Sequence, residues 1–319
     1  MLKTLALTTC LGLILAAPLA FLLPPLPEPV PGNQDAVVVQ PNLSTTERWT
    51  ADSVYEAQQR LATLSLRSAL AAGQARPRLI LWPEIPMPIY YPEDARAREL
   101  VTNLTRTTGT SVLLGVVAHN EAGAPLNSAI LVDERGNLAG RYDKLYLVPF
   151  GEYVPPFFNW VNRITQEAGD FTPGEKLTVL RAAGRATGVF ICYESAFPYL
   201  VRQFPAQGAE LLVNLSNDGY FGRSAAREQH LILVRMRAAE NRRWLLRATN
   251  DGITATVDPA GRIIHHLPPY AELSARTSYS YVSARTFYTE HGDWFIWLCA
   301  LVAAAAIIDR QIPRYRRPR

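Results

Sequence analysis

GVFICYESAFPYL, residues 188–200, runs out of an apolar stretch into Cys192, then at once into Tyr193 and Glu194, and meets a proline at position 198. The β-branched and aromatic residues before the cysteine favour a strand, and the polar residues and proline after it end that strand. Cys192 therefore sits at a strand end, and two readings of it are open. A free cysteine is among the most buried residue types, and an apolar strand is where it usually hides. Alternatively, a helix beginning near Ser195 would aim its N–H groups at the sulfur, lower the thiol pKa and bind an oxyanion.

Working outward, other short runs have the same character: AVVVQ (36–40), RLILW (78–82), SVLLGVVA (111–118), SAILVDERG (128–136), TGVFICYE (187–194), ELLVNLS (210–216) and GITATVD (252–258). Each is bounded by turn residues and reads as a strand. Amphipathic segments of helix length lie between them at Thr50–Ala72, Glu93–Thr107 and Ala225–Arg243. In the last, Leu231, Val234, Ala238 and Asn241 share one face, while Arg235, Arg237, Arg242 and Arg243 crowd the others. Alternating strands and helices predict an α/β domain with functional residues at strand ends. No internal repeat or glycine-rich phosphate loop is present.

The chain has 319 residues, 48% of them hydrophobic, and a net charge of +4. The apolar excess is concentrated at its ends. Leu5–Leu23 is free of charge and follows Lys3, long enough to be a retained membrane anchor rather than a cleaved signal peptide. Trp294–Ile308 is a second charge-free run, short for a span, followed by the basic RQIPRYRRPR, which the positive-inside tendency keeps in the cytoplasm. These features predict an anchor at 1–24, a proline-rich linker at 25–34, a catalytic domain at 35–290, a membrane helix at 291–310 and a basic tail at 311–319. That tail reads as a membrane flank rather than a nucleic-acid-binding arm. Of the three cysteines, Cys10 and Cys299 fall in the proposed spans, which leaves Cys192 with no disulfide partner in the soluble part.

Three further stretches carry chemistry. In LILWPEIPMPIYY, Glu84 follows the strand at a proline stop and is either an ordinary loop glutamate or, if desolvated by the apolar surroundings from Trp82 to Tyr91, a carboxylate suited to general-base work. In GRYDKLYLVPFGEYVPPF, Lys144 precedes an apolar run, so a lysine buried there needs a carboxylate such as Glu152 and would stabilise an oxyanion. In NLSNDGYFG (214–222), Asn217, Asp218 and Tyr220 stand at a strand end and either form a turn or line a pocket. His119, His230, His265, His266 and His291 show no metal spacing.

Glu84, Lys144 and Cys192, in that order, resemble the Glu-Lys-Cys triad of the nitrilase (carbon–nitrogen hydrolase) superfamily. Within it the sequence is similar to the apolipoprotein N-acyltransferase branch. The likeness is carried by VVQPNLSTTERW (38–49), LWPEIPMP (81–88), YDKLYLVPFGEYVP (142–155), ICYES (191–195), SNDGYFG (216–222), the long block QHLILVRMRAAENRRWLLRATNDGITATVDPAGRI (229–263) and TFYTEHGDW (286–294).

The resemblance implies a four-layer α-β-β-α sandwich, here flanked by an N-terminal and a C-terminal membrane helix. It implies Cys192 as nucleophile, Glu84 as general base and Lys144 as stabiliser of the tetrahedral intermediate, with Glu152, Tyr193 and Glu194 supporting. Trp49 matches a position the family uses at its site, and Trp82, Asn217 and Tyr220 are expected to contact substrate. The implied reaction moves an acyl chain from a phospholipid to the α-amino group of a lipoprotein N-terminal cysteine through a thioester. No metal or organic cofactor and no nucleic acid is implied. The expected location is a bacterial inner membrane, with the catalytic domain on the periplasmic side; Tyr90, Tyr91, Phe157, Phe158 and Trp160 either contact acyl chains or belong to the core. The branch's full-length enzymes begin with a bundle of transmembrane helices, where this chain carries a single apolar segment. Two alternatives use the same residues differently: an anchored amidase, or a non-catalytic subunit that borrows helices from a partner.

Overall fold

A computed structural model describes residues 31–44, 48–155 and 171–311, with Gly12 and Glu28 as isolated positions. The chain divides into units 1–30 and 31–319, and the elements below belong to the second. The expected anchor but for Gly12, half of the linker, Phe157, Phe158, Trp160 and the tail beyond residue 311 lie outside the described residues.

Twelve strands among the described residues form two six-stranded sheets. The first contains β1 (Gln34–Gln40), β2 (Leu79–Leu81), β3 (Ser111–His119), β4 (Pro125–Val132), β5 (Leu138–Asp143) and β12 (Leu273–Tyr279), in the order β12-β1-β2-β3-β4-β5. The second contains β6 (Val179–Ala182), β7 (Arg185–Ile191), β8 (Leu211–Ser216), β9 (Leu245–Thr249), β10 (Ala255–Val257) and β11 (Ile263–His266), in the order β11-β10-β9-β8-β7-β6. Each sheet has a parallel trio at its centre, β1-β2-β3 and β7-β8-β9, with antiparallel strands outside it.

The apolar runs are continuous because the central strands are buried on both faces. Along β1, Ala36 and Val38 enter the core shared with the second sheet, whereas Val37 and Val39 pack outward. The outward side of the first sheet is covered by α1 (Ala51–Ala69) and α2 (Ala95–Thr108) through Ala57, Leu61, Val101 and Leu104. Helix α3 (Ala226–Asn241) adds Val234 and Ala238 to the core of the second sheet, completing four layers. As the periodicity predicts, Leu231, Val234, Ala238 and Asn241 are all buried. Arg237 and Arg243 are buried too, against the expectation that they face outward, because backbone carbonyls receive their guanidinium groups: Ser195 for Arg237, and Ala209 and Ala284 for Arg243.

Helix α4 (Trp294–Gln311) presents a continuous exposed apolar surface, with Phe295, Ile296, Leu301 and Val302 all outward and Trp297 75% exposed. Its charge-free part reaches only about 22 Å at ~1.5 Å per residue, less than the ~30 Å hydrocarbon core of a bilayer. Among the described residues, no helix is long and apolar enough to cross a membrane.

Candidate active site

The parallel trios bring their carboxyl ends together, and the expected site residues leave from those ends. Glu84 follows β2, Cys192 follows β7 and Asn217 follows β8; Lys144 follows β5, which runs in the same direction. Glu84, Lys144, Glu152, Cys192, Asn217 and Tyr220 line one cavity of about 470 Å³. Its wall is otherwise largely apolar, with Ile85, Val148, Pro149, Phe150, Phe171 and Phe221.

Each residue is held by its local chain. The segment carrying Glu84 rides on β3 at Gly115, whose N–H donates to the Pro83 carbonyl at 3.2 Å. A side chain at Gly115 would put Cβ 2.5 Å from that carbonyl oxygen, so the close approach needs glycine. The Lys144 backbone is pinned on both sides: its N–H donates to Asn127 and its carbonyl accepts from Gly174, each at 2.8 Å. Three residues on the cavity wall have left-handed backbones, Ile85 (φ 25°), Phe150 (φ 62°) and Cys192 (φ 47°). Such conformations cost ~1–3 kcal/mol each and concentrate where geometry serves function.

The Lys144 ammonium is buried between two carboxylates, 2.9 Å from Glu84 Oε1 and 2.9 Å from Glu152 Oε2. Burial works to lower its pKa, but the Glu84 and Glu152 carboxylates beside it more than offset this, so it is held charged. Asn127 Nδ2 donates to both carboxylates, at 2.8 Å to Glu84 and 2.6 Å to Glu152. Glu152 also accepts from the Val148 N–H at 2.7 Å, and Glu84 Oε2 from the Asn217 N–H at 2.8 Å. Glu84 is thus met by three donors, not by the apolar surroundings that its neighbours in sequence suggest.

Cys192 is 8% exposed and opens a 3₁₀ turn, Cys192–Ala196. The expected helix from Ser195 is replaced by this single turn, with a short helix only from Pro198 to Val201. Correspondingly, the thiol pKa is raised, not lowered: burial pushes it up, Glu84 adds to this and Lys144 opposes it. A thiol so raised rests neutral, and Glu84 is the carboxylate that bears on it most strongly.

Glu194 ties the turn at Cys192 to the lysine segment. Its Oε1 accepts from the Tyr142 hydroxyl at 2.8 Å, the Leu145 N–H at 2.7 Å and the Tyr146 N–H at 3.3 Å, and its Oε2 from the Ile191 N–H at 2.7 Å. Burial nevertheless pushes its pKa up to about 7, against these donors. Tyr193 is half-exposed and meets Phe197 edge-on at 5.0 Å.

Other expected substrate contacts separate. Tyr220 is 81% exposed at the cavity, and Asn217 bonds Glu84 through its backbone. Trp82 does not reach the cavity: it is buried beneath α1, where its Nε1 donates to Ser65 at 2.9 Å. Trp49 is half-buried against the same cluster, and Tyr91 is buried there. Tyr90 is exposed and stacks on His119. Asn127 was not among the expected residues, since one amide in an apolar strand gives no sign of the two carboxylates it meets.

Residues 36–284 match the family model described as carbon-nitrogen hydrolase. The chain belongs to the carbon–nitrogen hydrolase family. Within this family it is 36% identical over 85% of its length to an apolipoprotein N-acyltransferase of Geobacter metallireducens, covering 52% of that protein. It is 34% identical over 72% of its length to the enzyme of the same name from Synechocystis, covering 44%. The chain thus spans about half the length of the curated relatives it matches. The family fold is also seen in the crystal structure of an amidase from Nesterenkonia sp., with a TM-score of 0.61 at 19% identity, covering 84% of this chain and 97% of that one.

Proposed function

We propose that this chain is an acyltransferase of the apolipoprotein N-acyltransferase type, acting through a thioester on Cys192. The observation that carries the reading is the meeting of a neutral thiol, a carboxylate and a buried ammonium in one cavity with an apolar wall. Such a wall accommodates an acyl chain, and the relatives' names point to the same chemistry.

Glu84 accepts the thiol proton as the Cys192 sulfur attacks the ester carbonyl of a phospholipid. The Lys144 ammonium and the N–H of Tyr193 stabilise the oxyanion. The ester C–O bond then breaks, and the lysophospholipid leaves with the proton returned from Glu84. An α-amino group, that of a lipid-modified N-terminal cysteine, attacks the thioester; the C–N bond forms, the C–S bond breaks, and Glu84 takes the amine proton and passes it to the thiolate. Glu152 and Asn127 keep Lys144 and Glu84 in register. The exposed apolar surface of α4 suits the interface of a bacterial inner membrane, with the domain on its periplasmic side.

The test is incubation with phospholipid vesicles and a peptide bearing an N-terminal diacylglyceryl cysteine. The expected product is the N-acylated peptide, absent with Cys192→Ala. Hydrolysis of small amides to ammonia without N-acylation would assign the site to an amidase. A folded protein with neither activity would favour the non-catalytic subunit.

A further inference from the structure

Beneath the nucleophile lies a second buried charged cluster that the mechanism above does not use. Asp218, after β8, receives Arg247 of β9 at 2.8 and 3.0 Å and the Ser216 hydroxyl at 2.8 Å. Burial would raise the Asp218 pKa, but Arg247 and His230 hold it well below the usual carboxylate range. The cluster is tightly accommodated: a Cβ on Gly252 would fall 2.1 Å from Asp218 Oδ2. His230, on α3, sets Nδ1 3.0 Å from Asp218 Oδ1 and Nε2 3.0 Å from the main-chain carbonyl oxygen of Cys192. That oxygen only accepts, so Nε2 carries a proton and donates. Two helical turns along the same face of α3, Arg237 Nη1 donates to the carbonyl of Ser195 at 3.1 Å. One helix therefore holds the nucleophile turn by carbonyls at both of its ends.

The carbonyl of Cys192 and the N–H of Tyr193 belong to one peptide group. In a trans peptide they point in opposite directions, so fixing the carbonyl on His230 directs the N–H away from α3. A hydrogen bond to the carbonyl also polarises the group and strengthens its N–H as a donor. The N–H of the residue after a nucleophile is the donor that meets a tetrahedral oxyanion in strand-to-helix turns of this kind. We propose that His230, braced by Asp218 and Arg247, is a positioning residue that orients the Cys192–Tyr193 peptide for oxyanion binding. It acts on the intermediate and not on the thiol. The inference rests on the reading of Cys192 as an acyl-accepting nucleophile.

The experiment separates two reactions of the same sulfur. Acylation by p-nitrophenyl acetate passes through an oxyanion, whereas alkylation by iodoacetamide does not, and neither needs the natural lipid. His230→Asn keeps an amide opposite Asp218 but is too short to reach the Cys192 carbonyl; His230→Gln restores a donor at the Nε2 position. We expect the acylation rate constant to fall about 10–100-fold in His230→Asn, with alkylation little changed, and to recover in His230→Gln. If His230→Asn proves unfolded by its melting transition, the same split is read on His230→Phe. Acylation at the unaltered rate, or a parallel fall in both reactions, overturns the inference and leaves the proposed function standing. Failure of the unsubstituted protein to be acylated overturns both.

Discussion

Two buried charged clusters flank Cys192, and they differ in what they face. The one built from the first sheet, Glu84, Lys144 and Glu152, opens onto the cavity. The one built from the second sheet and α3, Asp218, Arg247 and His230, is closed over by the fold and touches the Cys192 turn at its backbone carbonyl. Burying charges is expensive, and well-packed apolar residues often serve stability as well or better. Under the proposed mechanism the open and the closed cluster divide the labour: one would move protons and meet the developing charge, the other would fix the peptide that carries Cys192.

Removal of the sulfur should have the largest effect. Cys192→Ala should lower acyl transfer on the order of 10⁵-fold or more, measured by product formation, with the melting transition preserved. Within the open cluster, Glu84→Gln should reduce both acylation and alkylation of Cys192 by about 10²–10⁴-fold, because the neutral thiol loses its proton acceptor. This double loss contrasts with the split expected at His230. Lys144→Met should cost about 10²–10³-fold in acylation, read from single-turnover rates. In the closed cluster the main expected effect is on stability. Arg247→Met removes the guanidinium that is the main counter-charge of the buried Asp218 carboxylate, and should destabilise by ~3–5 kcal/mol, lowering the melting midpoint by about 10 °C.

The smallest effect concerns Glu194, which joins the two sides. Its pKa is raised from 4.5 to about 7 in the folded protein, so on raising the pH through this interval the unfolded chain releases the proton first. Stability from this group is greatest below pH 4.5, falls as the pH rises and levels off above about 7. Glu194→Gln should remove that part of the slope while lowering the midpoint itself, as followed by thermal melts between about pH 5 and 8.

The sequence reveals the central strands best, because strands buried on both faces are written as unbroken apolar runs. It conceals β5, β11 and β12, whose exposed residues interrupt any such run, and the short β6. Strand β9 is hidden for a different reason: Arg247 sits inside it, tolerated because Asp218 arrives from the neighbouring strand's end and Asn214 and the Ile253 carbonyl take its other N–H groups. That same arginine in an apolar stretch is the signal that could have disclosed the closed cluster. Glu84, Lys144, Glu152 and Cys192 are legible because each breaks or ends an apolar run, and the structure brings all four to one cavity. The environment of Cys192 is less legible, since whether a turn or a helix follows it depends on how α3 and Glu194 hold residues 192–196. Trp82 shows the converse limit: it lies two residues from Glu84 yet packs in the core beneath α1.

The central claim is that Cys192 carries the acyl group. Intact-mass spectrometry of the protein after brief incubation with phospholipid vesicles tests it most directly. The account predicts a mass increase of one acyl chain on the peptide containing Cys192, lost on adding a lipopeptide with a free N-terminal amine and never formed by Cys192→Ala. A folded protein that gains no acyl mass, or gains it equally in Cys192→Ala, would contradict it.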